Sequence, residues 1–174
     1  MEAMRERTPE SQEMMMPTPR KEHEWLQRLV GEWTIEGEAS MGPDQPMAGF
    51  SGTESVRSIG GIWIEAEARV ESPDGAVGTN ILTLGFDTWR ARFVGSFISS
   101  MMTYMWSYDG ELDPSGRALN LNTEGPTMAP EGNMARFREV IEFVSDDHRT
   151  WTSWTQADDG SWQQVMRSDY RRRK

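Results

Sequence analysis

Residues 22–39, "EHEWLQRLVGEWTIEGEA", change period at their centre. Up to Val30 the apolar residues Trp25, Leu26, Leu29 and Val30 keep the i, i+1, i+4, i+5 spacing of one helix face. Gly31 is expected to stop that helix. From Glu32 the pattern alternates as a strand does, with Trp33, Ile35 and Gly37 in one row. A large aromatic just past the glycine then has a structural use. It can lie across the floor of whatever the following strands enclose, with Trp25 and Leu29 beneath it.

Beyond this stretch the helical period does not return. Nine turn signals, at 42–46, 60–61, 72–75, 86–90, 101–103, 109–116, 124–132, 146–148 and 158–160, divide the chain into about ten segments of strand length. Asp-Gly recurs among them, and it favours hairpins because glycine reaches positive φ without strain. Connections this short leave no room for crossover helices, so consecutive strands must run antiparallel. A sheet of about ten twisted strands removes its exposed edges by closing. The expected fold is all-β: a closed antiparallel up-and-down β-barrel of about ten strands, with the short N-terminal helix plugging one end. Residues 20–174 would form this one domain. Residues 1–19, with three Pro, many charges and the run Met14-Met15-Met16, are expected to be a disordered tail.

Composition narrows the function. The 174 residues contain no Cys, which excludes disulfides, zinc-thiolate sites and thiol nucleophiles. A formal net charge of -10 opposes nucleic acid, and the closing Arg171-Arg172-Arg173-Lys174 is too short to overturn it. No apolar run approaches the roughly 20 residues that cross a bilayer, so no membrane partner is expected. The first residues contain no secretory pattern, and the expected location is cytoplasmic. No Gly-x-Ser-x-Gly elbow and no phosphate-cradling Gly-Lys-Ser/Thr loop is present. His23 and His148 come from a helix start and a hairpin turn, with the His148 ring expected in water, and no metal or cofactor is expected.

A helix followed by Gly-x-Trp on the first strand, with a basic residue closing the last strand, resembles the calycin superfamily of lipocalins and fatty-acid-binding proteins. Arg171 is the residue expected to stack on the indole. The stretches "EHEWLQRLVGEWTIEGEA", "VRSIGGIWIEAEA", "TLGFDTWRARFVGSFISSMMTYMWSYDGEL", "LNTEGP", "FREVIEF", "DDHRTWTS" and "DGSW" with the closing "YRR" resemble one bacterial family of that superfamily, domain-of-unknown-function family 1579. They cover nearly all of residues 22–173. The resemblance implies a lipocalin-like barrel of unassigned function and carries over no catalytic residue.

Strand parity points to candidate site residues. In "GIWIEAEARV" the row Ile62, Ile64, Ala66, Ala68, Val70 is apolar and should face inward, which leaves Glu65 and Glu67 outside. The same test puts one carboxylate on each of two apolar rows: Glu54 with Phe50, Gly52 and Val56, and Glu139 with Phe137, Ile141 and Phe143. Either these carboxylates face the interior, where they need a partner or a raised pKa, or a bulge shifts the register and leaves them wet. In "SSMMTYMWSY" the residues Tyr104, Trp106 and Tyr108 share a face beside Met102, a lining suited to an irregular apolar ligand and equally to plain core. Ser153, Gln164, Met166 and Tyr170 should add inward groups from the last two strands, and Trp151 and Trp162 should close the end. The expected function is binding of a small, mostly apolar molecule in the interior, with a homodimer as one possible state. The alternatives are an acid/base enzyme of isomerase, cyclase or decarboxylase type using an inward glutamate, and an interaction protein with a solid barrel.

Overall fold

The computed structural model describes residues 16–128 and 132–174, so residues 1–15 of the expected tail, Met14 and Met15 among them, lie outside the described residues. Residues 16–20 are exposed and without regular structure, and α1 (Lys21–Gln27) follows. His23 closes its start: Nδ1 accepts the Arg20 backbone N–H at 2.8 Å, which leaves Nε2 to donate to the Phe86 carbonyl at 3.1 Å. The α-helix ends a little earlier than its apolar stripe. Arg28, Leu29 and Val30 donate to the carbonyls of Trp25, Leu26 and Gln27, and this tightened turn carries Leu29 and Val30 onto the same buried side. Gly31, at φ 135°, then opens β1 rather than capping the helix directly.

Ten strands follow: β1 (Gly31–Ser40), β2 (Met47–Ile59), β3 (Trp63–Glu71), β4 (Val77–Asp87), β5 (Arg92–Ser99), β6 (Trp106–Leu112), β7 (Ala118–Pro126), β8 (Met134–Ser145), β9 (His148–Gln156) and β10 (Trp162–Arg172). Each pairs antiparallel with its neighbours in the chain, and β1 pairs with β10 to close the barrel. Every expected turn includes a connection between consecutive strands, and one is displaced along its segment. Asp109-Gly110 lies inside β6, and the chain reverses after Leu112, where Asp113 accepts the Ser115 hydroxyl at 2.8 Å and the Ala118 N–H at 3.2 Å.

The helix plugs the end bounded by the β2–β3, β4–β5, β6–β7 and β8–β9 turns. Trp25 reaches the β6–β7 turn, its Nε1 donating to the Gly116 carbonyl at 2.8 Å, and its ring meets Phe93 and Phe143 edge to face. Trp33 is fully buried above it, with Nε1 donating to the Leu29 carbonyl at 2.8 Å. The basic residue on that indole is Arg172 and not Arg171. The inward row of β10 reads Met166, Ser168, Tyr170, Arg172, so Arg171 pairs with Thr34 and His148 on the outer face. The Arg172 guanidinium lies 4.2 Å from the Trp33 ring centre and donates to the carbonyls of Val30 (2.7 Å) and Arg28 (2.9 Å) and to that of Asp146 (3.0 Å). Its tip lies where a side chain at Gly31 would begin, and Gly31 is at φ 135°, a conformation that residues with a side chain rarely adopt, which is why glycine stands there. One cation thus ties the helix exit, the first strand and the β8–β9 turn together.

Candidate functional site

Toward the opposite end the inward rows change character. Phe50, Val70, Phe97, Phe137 and Met166 have the parity of the core and pack against it, yet they are only partly buried. Each stands near the mouth end of its strand. Trp106 joins this wall by lying flat on Gly125, where a side chain would collide with its ring. It meets Phe137 edge to face at 5.0 Å and Tyr104 at 5.1 Å. Its Nε1 donates to Met102 Sδ at 3.1 Å, and the Tyr104 hydroxyl donates to the Glu124 carbonyl at 2.7 Å. Met102 and Tyr104 therefore belong to the rim of the mouth, on the β5–β6 loop, whereas Trp106 and Tyr108 belong to the wall.

Below this wall stands Glu139. It faces inward as its row predicts, with 8% of its surface exposed. Trp151 Nε1 donates to Oε2 at 2.6 Å and Ser153 Oγ to Oε1 at 2.7 Å. Trp151 is held in turn by an edge-to-face contact with Phe97 at 6.0 Å. Burial raises the Glu139 carboxyl from 4.5 to about 7, against the opposing effect of those two hydrogen bonds. The Tyr108 hydroxyl is raised well above its usual range by burial and then by the charges of Glu139 and Tyr170. Tyr170 is raised too, by burial first and then by Glu54. Thr123, inward on β7 opposite Phe137, has a buried hydroxyl with no hydrogen-bond partner among the described residues.

Glu54 also faces inward, and its charge is already met. It forms an ion pair with Arg149, whose guanidinium lies 3.9 Å from the Tyr170 ring centre and 4.6 Å from that of Trp33. The Glu54 carboxyl is still raised, because desolvation outweighs the Arg149 charge. Arg149 went unnoticed in the sequence although the row Arg149, Trp151, Ser153 contained the signal, a cation with the parity of a core.

Two expectations fail for one reason. The β9–β10 register slips between Gln164 and Met166, and this bulge reverses the parity of everything before it. Gln164 is exposed on the outside, and Trp162 lies on the outer face under Arg138, 4.4 Å from its ring centre, so it closes no end of the barrel. Trp151 is inside, but as the donor to Glu139. His148 is on the outer face, with Nε2 2.7 Å from Asp169, instead of in open water. Among the described residues no group of three or more His, Asp or Glu is placed to hold a metal, and no helix is long and apolar enough to cross a membrane.

The chain belongs to the protein family of unknown function DUF1579, whose model matches residues 18–172. No curated protein matches it. Among solved structures it is similar to Rv2717c from M. tuberculosis, with 13% identity over 87% of this chain and 96% of that one and a TM-score of 0.62. It is also similar to the S-type phycobiliprotein lyase CPES from Guillardia theta, with 16% identity over 91% of this chain and 99% of that one and a TM-score of 0.56. At these identities the likeness is one of fold.

Proposed function

We propose that this protein binds a small, mostly apolar molecule in the lumen of its barrel. The observation that supports this reading best is the aromatic wall of partly buried Phe50, Phe97 and Phe137 and buried Trp106, which leads from the mouth to one buried carboxyl, Glu139. A pocket of this kind combines an apolar lining with a single orienting polar group. The rim supports it as well. Exposed methionines stand on or beside three loops at the mouth, Met41 and Met47, Met101, Met102 and Met105, and Met128 and Met134, and thioether side chains adapt to irregular shapes.

A neutral fluorescent apolar probe such as N-phenyl-1-naphthylamine tests the reading. It should quench tryptophan emission and raise the melting temperature by linkage, since it binds the folded state alone. Trp106→Ala should weaken both responses about tenfold or more, whereas Trp162→Ala, on the outer face, should leave them unchanged. Equal binding to all three proteins would place the probe outside the barrel and remove the lumenal reading.

A second reading, acid/base catalysis, is favoured by one observation: Glu139, pushed up to about 7, lies in the same volume as Tyr108 and Tyr170. A general base works best with a pKa near the working pH. On this reading Glu139→Gln would abolish turnover of a bound molecule while leaving its binding nearly intact.

A further inference from the structure

Resting on the lumenal binding reading, we propose that the ligand class is a lipophilic amine, held as its ammonium ion with the nitrogen against Glu139 and the apolar body among Phe97, Trp106 and Phe137. The charges that face the interior decide this. On β2 and β9, Glu54 and Arg149 cancel each other in their ion pair. On β10, Arg172 is consumed at the plug by three backbone carbonyls and by Asp147 at 3.2 Å. The tyrosines that share charge with Glu139, Tyr108 on β6 and Tyr170 on β10, are both held in their neutral form. The other inward polar groups near the lumen, among them Asn80 on β4, Ser99 on β5, Thr123 on β7, Ser153 and Thr155 on β9 and Gln163 and Ser168 on β10, carry no charge. Among the described residues Glu139 is therefore the inward group whose charge no neighbouring cation offsets. Trp151 and Ser153 orient it and hold it ionised in part, but both are neutral donors.

Each class of ligand meets this arrangement differently. A carboxylate ligand would add a second negative charge beside the first. A neutral ligand requires Glu139 to keep its proton. An ammonium ion supplies the missing counter-charge, makes a charge-assisted hydrogen bond to lone pairs that Trp151 and Ser153 leave free, and finds aromatic faces around it. The net charge of -10 over the whole chain draws cations towards the protein and repels anions.

Three probes on one skeleton separate the possibilities on the full-length protein: 1-naphthylmethylamine, 1-ethylnaphthalene and 1-naphthylacetate, each titrated by calorimetry at pH 8 and pH 5.5. The amine should bind wild type at least about tenfold more tightly than the hydrocarbon at pH 8, with the acid weakest. Its affinity should fall about thirtyfold at pH 5.5, the loss of ionised carboxyl expected for a group titrating at about 7. Hydrocarbon binding should hold or strengthen over the same change. Glu139→Gln should erase the amine preference and its pH dependence while still binding the hydrocarbon, which shows that the variant is folded. A hydrocarbon that binds as well as the amine, and still depends on Trp106, would overturn the amine class and leave the lumenal site standing. An amine preference that survives Glu139→Gln would put the cation on the acidic outer surface and overturn the proposal. Failure of every probe to distinguish wild type from Trp106→Ala would overturn the lumenal reading and the amine class together.

Discussion

Replacing Arg149 with Met removes a cation from the centre of the barrel while keeping an apolar side chain of similar reach. Arg149 is 2% exposed and Glu54 4%, so the variant leaves a buried carboxylate with no counter-charge and no access to bulk water. Breaking a buried pair in this way costs about 3 to 5 kcal/mol, a large part of the roughly 5 to 15 kcal/mol that holds a domain together. The deficit should depend on pH with a defined sign. Burial already raises the Glu54 carboxyl above 4.5, and the Arg149 charge opposes that rise. Without Arg149 the carboxyl rises further, so the folded variant binds the proton more tightly than its unfolded chain does. Stability contributed by that proton is fully present below about 4.5 and is lost as pH climbs through the raised value. Urea unfolding should therefore show a deficit that is largest at pH 8 and shrinks towards pH 5. Glu54→Gln leaves the opposite orphan, a guanidinium that cannot lose its proton, and removes the raised carboxyl, so its deficit should not shrink towards pH 5. The double variant Glu54→Gln/Arg149→Met should fall short of the summed single costs by about 0.5 to 3 kcal/mol. An Arg149→Met protein within about 0.5 kcal/mol of wild type at pH 8, the range of an ordinary surface change, would refute the argument, as would a deficit that ignores pH.

Glu139 gives wild type a pH dependence of its own. A rise from 4.5 to about 7 makes stability at low pH greater by about 3 kcal/mol, lost as pH passes 7, and Glu139→Gln should flatten that part of the curve of unfolding free energy against pH. Trp33→Ala should cost about 3 to 5 kcal/mol in urea unfolding, since it empties the floor between the helix and both arginines. Arg172→Ala should cost about 1 to 3 kcal/mol and speed hydrogen exchange in α1, because three carbonyls lose their donor, while Arg171→Ala should stay within about 0.5 kcal/mol of wild type. A bulky residue at Gly37 is a poor way to fill the lumen. Its first atom would already stand 2.7 Å from the Arg167 carbonyl and from Ser168 Cβ, so such a variant should report lost stability before lost binding.

The local patterns of this chain determined the plug helix, the number of strands, the positions of the turns and the inward faces of β1, β2, β3, β6 and β8. Alternation and turn chemistry act between residues a few positions apart, so they are complete in the sequence. The two inward glutamates were legible for the same reason: a charge on an apolar row shows without knowledge of its partner. What they meet was not legible. Glu54 and Arg149 are 95 residues apart and come together only because β1 pairs with β10 and brings β2 and β9 to the same side of the closed barrel. The donors to Glu139 sit across the β8–β9 register, and its lack of a cation is a property of everything that faces it. Arg171 and Arg172 are both basic, and only the pairing of β10 with β1 decides which of them turns inward. The bulge before Met166 is the clearest case. One extra residue, with no local mark in the sequence, sends Trp162 and Gln164 to the outer face and keeps Met166 and Tyr170 inside, because strand parity counts pairings and the pairing is made by the neighbouring strand.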